Sequence, residues 1–194
     1  MTSRNLRCAV LALVTGLSLA AGTTAAHADA FRHRDATGDV RVTRGATDTT
    51  GAVESTWRPA DIQQFTVLHG RWALSIATTL RDLRGFEDRW QARIVTSKGD
   101  TFYVNRLHLE GYPGPFSTVA RDGKHFECDG IYVSRTTSGV IAKVPTRCLG
   151  NPWKVRVGVY AESTLSDADD TGHDDALLTG RYADRPALSP WIAR

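Results

Sequence analysis

The sequence predicts an all-β protein, a two-layer antiparallel β-sandwich of about eight strands carrying one disulfide. Three observations lead there. Short runs of apolar, β-branched and aromatic residues recur between turn signals, the clearest run alternates at period two, and no stretch shows the periodicity of an amphipathic helix. Strands of this kind must cover their apolar faces with one another, which two stacked sheets achieve.

The clearest element is 61–83, DIQQFTVLHGRWALSIATTLRDL, which reads as two strands folded back at His69-Gly70-Arg71. In its second half Trp72, Leu74, Ile76, Thr78 and Leu80 share one face, and Ala73, Ser75, Ala77 and Thr79 share the other. Trp72 is therefore expected in the core, as is Trp90 on the next strand. In the first half Phe65 and Val67 face one way while Ile62 and Leu68 face the other. A strand of that pattern is expected to be covered on both faces or central in its sheet. Gly70 can take the positive φ that a tight connection needs.

From the start of the chain, Arg4 and Arg7 precede an apolar run over 9–21 and small residues ending in Ala26-His27-Ala28. This is the pattern of a secretory signal peptide over 1–28, too short and wrongly flanked to anchor in a membrane. The mature chain is expected to be extracellular, with no membrane span beyond residue 28. Of 24 basic and 21 acidic residues, removal of Arg4 and Arg7 leaves 22 and 21. A nearly neutral domain lacks the concentrated basic face that nucleic acid requires. Residues 29–194 have the length of one domain, with a polar N-terminal segment over 29–58 that carries the first strand and the remainder of the sandwich over 59–194.

Within the N-terminal segment, Asp35-Ala36-Thr37-Gly38-Asp39 signals a turn, after which 40–43 is expected to begin the first strand and 48–55 to be loop. Pro59 leads into the hairpin, where it removes no ladder bond. Beyond the hairpin, 90–96 and 101–107 flank a turn at 97–100, and the Gly- and Pro-rich 111–116 is a loop. Runs 128–134 and 140–144 pair around Thr137-Ser138-Gly139, and Val155, Val157 and Val159 alternate along a late strand.

Of three cysteines, Cys8 falls in the signal segment, so Cys128 and Cys148 are expected to form the disulfide. Closing a loop of about twenty residues stabilises a fold by roughly 3 kcal/mol on chain-entropy grounds.

The early Asp35-x-x-Gly38-Asp39 turn, the following Ala60-Asp61-Ile62, the hairpin and Asp82-Leu83 together resemble secreted actinobacterial β-sandwich proteins related to the DOMON and family 9 carbohydrate-binding-module folds. The segment 144–150, VPTRCLG, and the ending 188–192, LSPWI, are similar to secreted proteins of that origin. The resemblance implies a sandwich that binds sugars, haem or another small ligand without catalysis. Neither the paired sugar-clamping aromatics nor haem ligands of those families match positions in this chain.

Two groups of residues are candidate sites. Trp57, Tyr112 and Trp153 lie in connections, where exposed rings beside polar loops can grip a glycan or a protein of the cell envelope. Asp167, Asp169, Asp170 and Asp174 crowd an acidic stretch, expected as a solvated loop, that opens like a Ca²⁺-binding loop but has Leu178 where the bidentate glutamate belongs. Asp35, Asp39 and Asp61 are a second oxygen cluster, which capping and turn formation explain equally well. Catalytic motifs are missing: no G-x-S-x-G elbow lies beyond residue 28, and there is no H-E-x-x-H or phosphate-binding glycine loop. The expected function is a non-catalytic binding module. The alternatives are an envelope interaction protein without a small-molecule site, and a metal-assisted hydrolase that needs Asp35, Asp39 or Asp61 to converge with a histidine.

Overall fold

The computed structural model describes residues 29–45, 47–82, 87–109, 111–164 and 169–194, with Glu87 described in its backbone alone. The signal segment 1–28 and Asp167 lie outside the described residues. Fourteen strands among the described residues, more than the eight expected, form two antiparallel sheets. The smaller sheet has the order β1 (Asp29–Arg34), β4 (Ile62–His69), β5 (Ala73–Leu80), β11 (Gly139–Pro145), β10 (Tyr132–Arg135). The larger runs β3 (Ala52–Val53), β2 (Arg41–Arg44), β13 (Asp170–Asp175), β12 (Lys154–Thr164), β6 (Glu87–Thr96), β7 (Thr101–His108), β8 (Phe116–Arg121), β9 (Lys124–His125), and β14 (Ile192–Ala193) also pairs with β12. The excess over eight comes from the two-residue β3, β9 and β14, which are too short to show a period, and from the six-residue β1, β8 and β13. No helix of the described residues is long and apolar enough to cross a membrane.

Alternation fills the space between the sheets. Ile62, Phe65, Val67, Leu74 and Ile76 of the β4-β5 hairpin meet Trp90, Ala92 and Ile94 of β6 and Val155, Val157 and Val159 of β12, all buried. Trp90 donates its indole N–H to Thr78 Oγ1 at 3.0 Å, so its one polar atom is satisfied across the sheets. The hairpin forms as predicted, but Ile62 does not face away from Phe65. A β-bulge between Ile62 and Gln64 inserts one residue and turns Ile62 into the core, while Leu68 on the outer face stays 47% exposed. Trp72 is also corrected: β5 begins at Ala73, so Trp72 belongs to the turn and is 76% exposed.

Two further expectations change. The first strand is β1, ahead of the Asp35–Asp39 turn, and it pairs with β4 although four of its six residues are exposed. The acidic stretch is a strand from Asp170, not a solvated loop, with Asp174 and Asp175 fully buried on opposite faces of β13. The disulfide Cys128–Cys148 is present and ties the segment before β10 to the 3₁₀ turn Thr146–Leu149.

Registers define the two ends of the sandwich. Ile62, Leu80, Asp88, His108 and Thr164 lie toward one end, and His69, Ala73, Thr96 and Lys154 toward the other. A strap formed by residues 176–191 crosses the outer face of the larger sheet. Ser189 N–H donates to Val157 O at 2.9 Å and Arg93 Nη1 to Pro186 O at 3.3 Å. Gly158 makes the crossing possible, since a Cβ there would stand 1.9 Å from Ala187 O.

Candidate functional site

Beside the strap, the outer face of the larger sheet sinks into a recess of about 290 Å³. Its floor comes from Arg89 and Gln91 of β6, Tyr160 and Glu162 of β12 and His173 of β13, with Tyr182 and Asp184 of the strap at its wall. Strand alternation explains the set, because Trp90, Ala92, Val159, Ala161 and Asp174 point inward and leave their polar neighbours outward. Tyr160 donates to Glu162 Oε2 at 2.7 Å and lies 2.6 Å from His173 Nδ1, while His173 Nε2 lies 3.1 Å from Thr43 Oγ1. A neutral His173 ring carries one N–H, so it donates on one side and accepts on the other, while the Thr43 hydroxyl is also 3.3 Å from Thr171 O as a donor. Burial holds the His173 pKa below its usual value, against the pull of Glu162, which suits this neutral ring. Tyr182 stacks on the ring at 4.3 Å. Gln91 continues the row by donating to Asn105 Oδ1 at 2.7 Å.

A second group sits inside, toward the end where β4 begins. One carboxylate oxygen from each of Asp39, Asp61 and Asp174 lies within 4.8 Å of the others. Backbone amides hold each residue by Oδ2: Gly180 N donates to Asp39 at 2.8 Å, Gly38 N to Asp61 at 3.0 Å and Ile62 N to Asp174 at 2.7 Å. Asp61 Oδ2 also pairs with Arg81 Nη1 at 3.2 Å. Ala60 adopts φ 67 to bring Asp61 into place. The hydrolase reading asked for a histidine in this group, and its three members are all aspartates.

The predicted ligand rings do not converge. Trp57 is half-buried against Gly172, where a Cβ would stand 2.2 Å from its Nε1. Tyr112 is exposed beside Phe116, in the loop that follows His108, while Trp153 is 60% exposed before Lys154, at the opposite end. Of the predicted calcium set, Asp169 is exposed, Asp170 pairs with Arg44 at 3.7 Å, and Asp174 alone joins Asp39 and Asp61. The sequence does not reveal the recess because its members come from three strands and a strap. The period-two position of Tyr160 and Glu162, outward against the inward valines of β12, is the one signal it offers. No protein-family model matches the chain, and the searches of curated proteins and of solved structures found no match to it.

Proposed function

We propose that the chain is a secreted, non-catalytic binding module that takes a neutral, hydroxyl-rich ligand such as the end of a glycan in the recess beside the strap. The observation that carries this is the lining. It alternates donors and acceptors on a preorganised floor, with an aromatic ring at its wall. Arg89 faces two carboxylates, Glu162 and Asp184, so the site has no excess positive charge for a phosphate. Paired hydroxyls of a sugar ring suit Arg89, Gln91 and Glu162, and the Tyr182 ring offers an apolar surface to its C–H face.

The test is a calorimetric titration with neutral glucose-, galactose- and N-acetylglucosamine-based oligosaccharides. One of these should bind, and Arg89→Ala and Tyr182→Ala should each weaken it by about tenfold or more, equivalent to ~1.4 kcal/mol. Tyr112→Ala and Trp153→Ala should leave the affinity unchanged. Silence across the panel, or loss of binding only in Trp153→Ala, counts against the recess.

The opposite end favours a second function, docking to an envelope protein. Trp72, Trp153 and Trp191 are exposed there, with Arg71 over Trp72 at 4.7 Å and Lys154 over Trp153 at 4.1 Å. Aromatic and basic side chains together are the usual anchors of protein interfaces.

A further inference from the structure

Asp39, Asp61 and Asp174 share a pattern that hydrogen bonding leaves unfinished. All three are buried, at 7%, 0% and 1% exposure, and in each Oδ2 is taken by a backbone amide while Oδ1 has no hydrogen-bond partner. Asp35 repeats the pattern beside them, with Oδ1 accepting from Ala36 N at 2.8 Å and Oδ2 left unpartnered. Asp175 supplies the contrast within the same strand. Its Oδ1 accepts from Leu177 N and its Oδ2 from Ala187 N, so both oxygens are spent on holding the strap.

A buried carboxylate oxygen without a partner is costly, and four in one region repel one another as well. Arg81, the guanidinium paired to Asp61, offsets one charge of the four.

We propose that Asp39, Asp61 and Asp174, with Asp35 beside them, bind one Ca²⁺ ion through the oxygens that the backbone leaves free. Oxygens up to 4.8 Å apart fit within the span of a calcium shell, about 4.6–5.2 Å from twice the Ca–O distance. The donors are all oxygen, which selects a hard cation. They come from three separate parts of the chain inside the fold, a setting that suits the irregular shell of Ca²⁺ better than Mg²⁺, which keeps its waters and demands an octahedron. The ion joins the turn after β1, the start of β4 and the end of β13. The proposal does not rest on the glycan reading of the recess.

The experiment is calorimetry and thermal unfolding of the chain from Asp29 to its end, disulfide intact, first stripped with EDTA and then titrated with CaCl₂ or MgCl₂. One Ca²⁺ should bind per chain, and at a hundred times the dissociation constant the unfolding temperature should rise by roughly 5–10 °C. Asp39→Asn and Asp174→Asn keep an oxygen for Gly180 N and Ile62 N but lose charge, so each should weaken Ca²⁺ by at least about tenfold. Asp175→Asn should retain the calcium shift. A wild type that takes up no Ca²⁺ at about 5 mM, weaker than extracellular calcium modules, overturns the proposal, as does a shift that survives both Asn substitutions. An equal response to Mg²⁺ overturns the assignment to calcium.

Discussion

His69 shows how one side chain sets a pH limit on this fold. It is fully buried under the far end of the sandwich, and its Nδ1–H donates to Ile192 O at 3.1 Å, while Nε2 has no partner. A proton on Nε2 would be a buried charge without an acceptor. Burial holds the pKa below its ordinary value of 6.5, and the nearby Arg194 charge pushes it the same way against the pull of the Ile192 carbonyl. The unfolded chain therefore binds a proton that the folded chain refuses. The stabilisation is complete above 6.5 and is lost as pH falls toward the folded value. His69→Gln should remove that loss: unfolding by urea at about pH 7.5 and about pH 5.5 should show a smaller drop in stability for the variant than for the wild type. Equal drops would mean that His69 does not titrate in this window. With no metal bound, the carboxylates whose pKa burial raises work oppositely, adding stability at low pH that is lost as pH rises through about 7 for Asp35 and about 9 for Asp174. That background is common to both proteins and cancels in the comparison.

At the scale of elements, β12 carries the most consequence, because its inner face builds the core and its outer face carries both the recess and the strap. Gly158 is the point where the two meet, with Ala187 O standing where a Cβ would be. Gly158→Ala should force the strap off the sheet at a cost of about 1–3 kcal/mol, read as a lower urea midpoint. It should also weaken whatever binds beside Tyr182; an unchanged midpoint would show that the strap is loosely held. The same strand illustrates what the sequence could reveal. Val155, Val157 and Val159 announce their inner face by period two, as do Leu74 and Ile76 of β5. The pattern misleads where geometry breaks the period: at the Ile62 bulge, which returns an outward residue to the core, and at Trp72, which sits just outside its strand. It is silent where a strand has few large apolar residues, as in β1, whose place depends on pairing with β4. In β13 composition reads as solvent-exposed loop, because burying Asp174 and Asp175 depends on the distant amides of Ile62 and Ala187 as well as the neighbouring amide of Leu177.

At the scale of the molecule, the carboxylate group and the recess are mechanically joined. Asp39 Oδ2 accepts from Gly180 N, and Arg41 Nε donates to Gly180 O at 3.1 Å, so the strap is anchored to the candidate cation site two residues before Tyr182. Calcium that holds Asp39 in place also holds the start of the strap. Removing it should free the carboxylates to separate and loosen residues 176–187 before the core responds, since regions with few buried contacts open first. The strap reports on itself, because Arg181 is exposed and directly follows that anchor. Limited trypsin digestion in EDTA should cut after Arg181 several-fold faster than in CaCl₂, with the sandwich otherwise intact by mass. In Asp39→Asn the amide oxygen still accepts from Gly180 N, so cutting should become insensitive to chelation rather than simply faster. If EDTA leaves the rate at Arg181 unchanged in the wild type, the strap is held by its own hydrogen bonds, such as those of Asp175, Ser189, Arg93 and Arg41, and occupancy of the carboxylate group does not reach the recess.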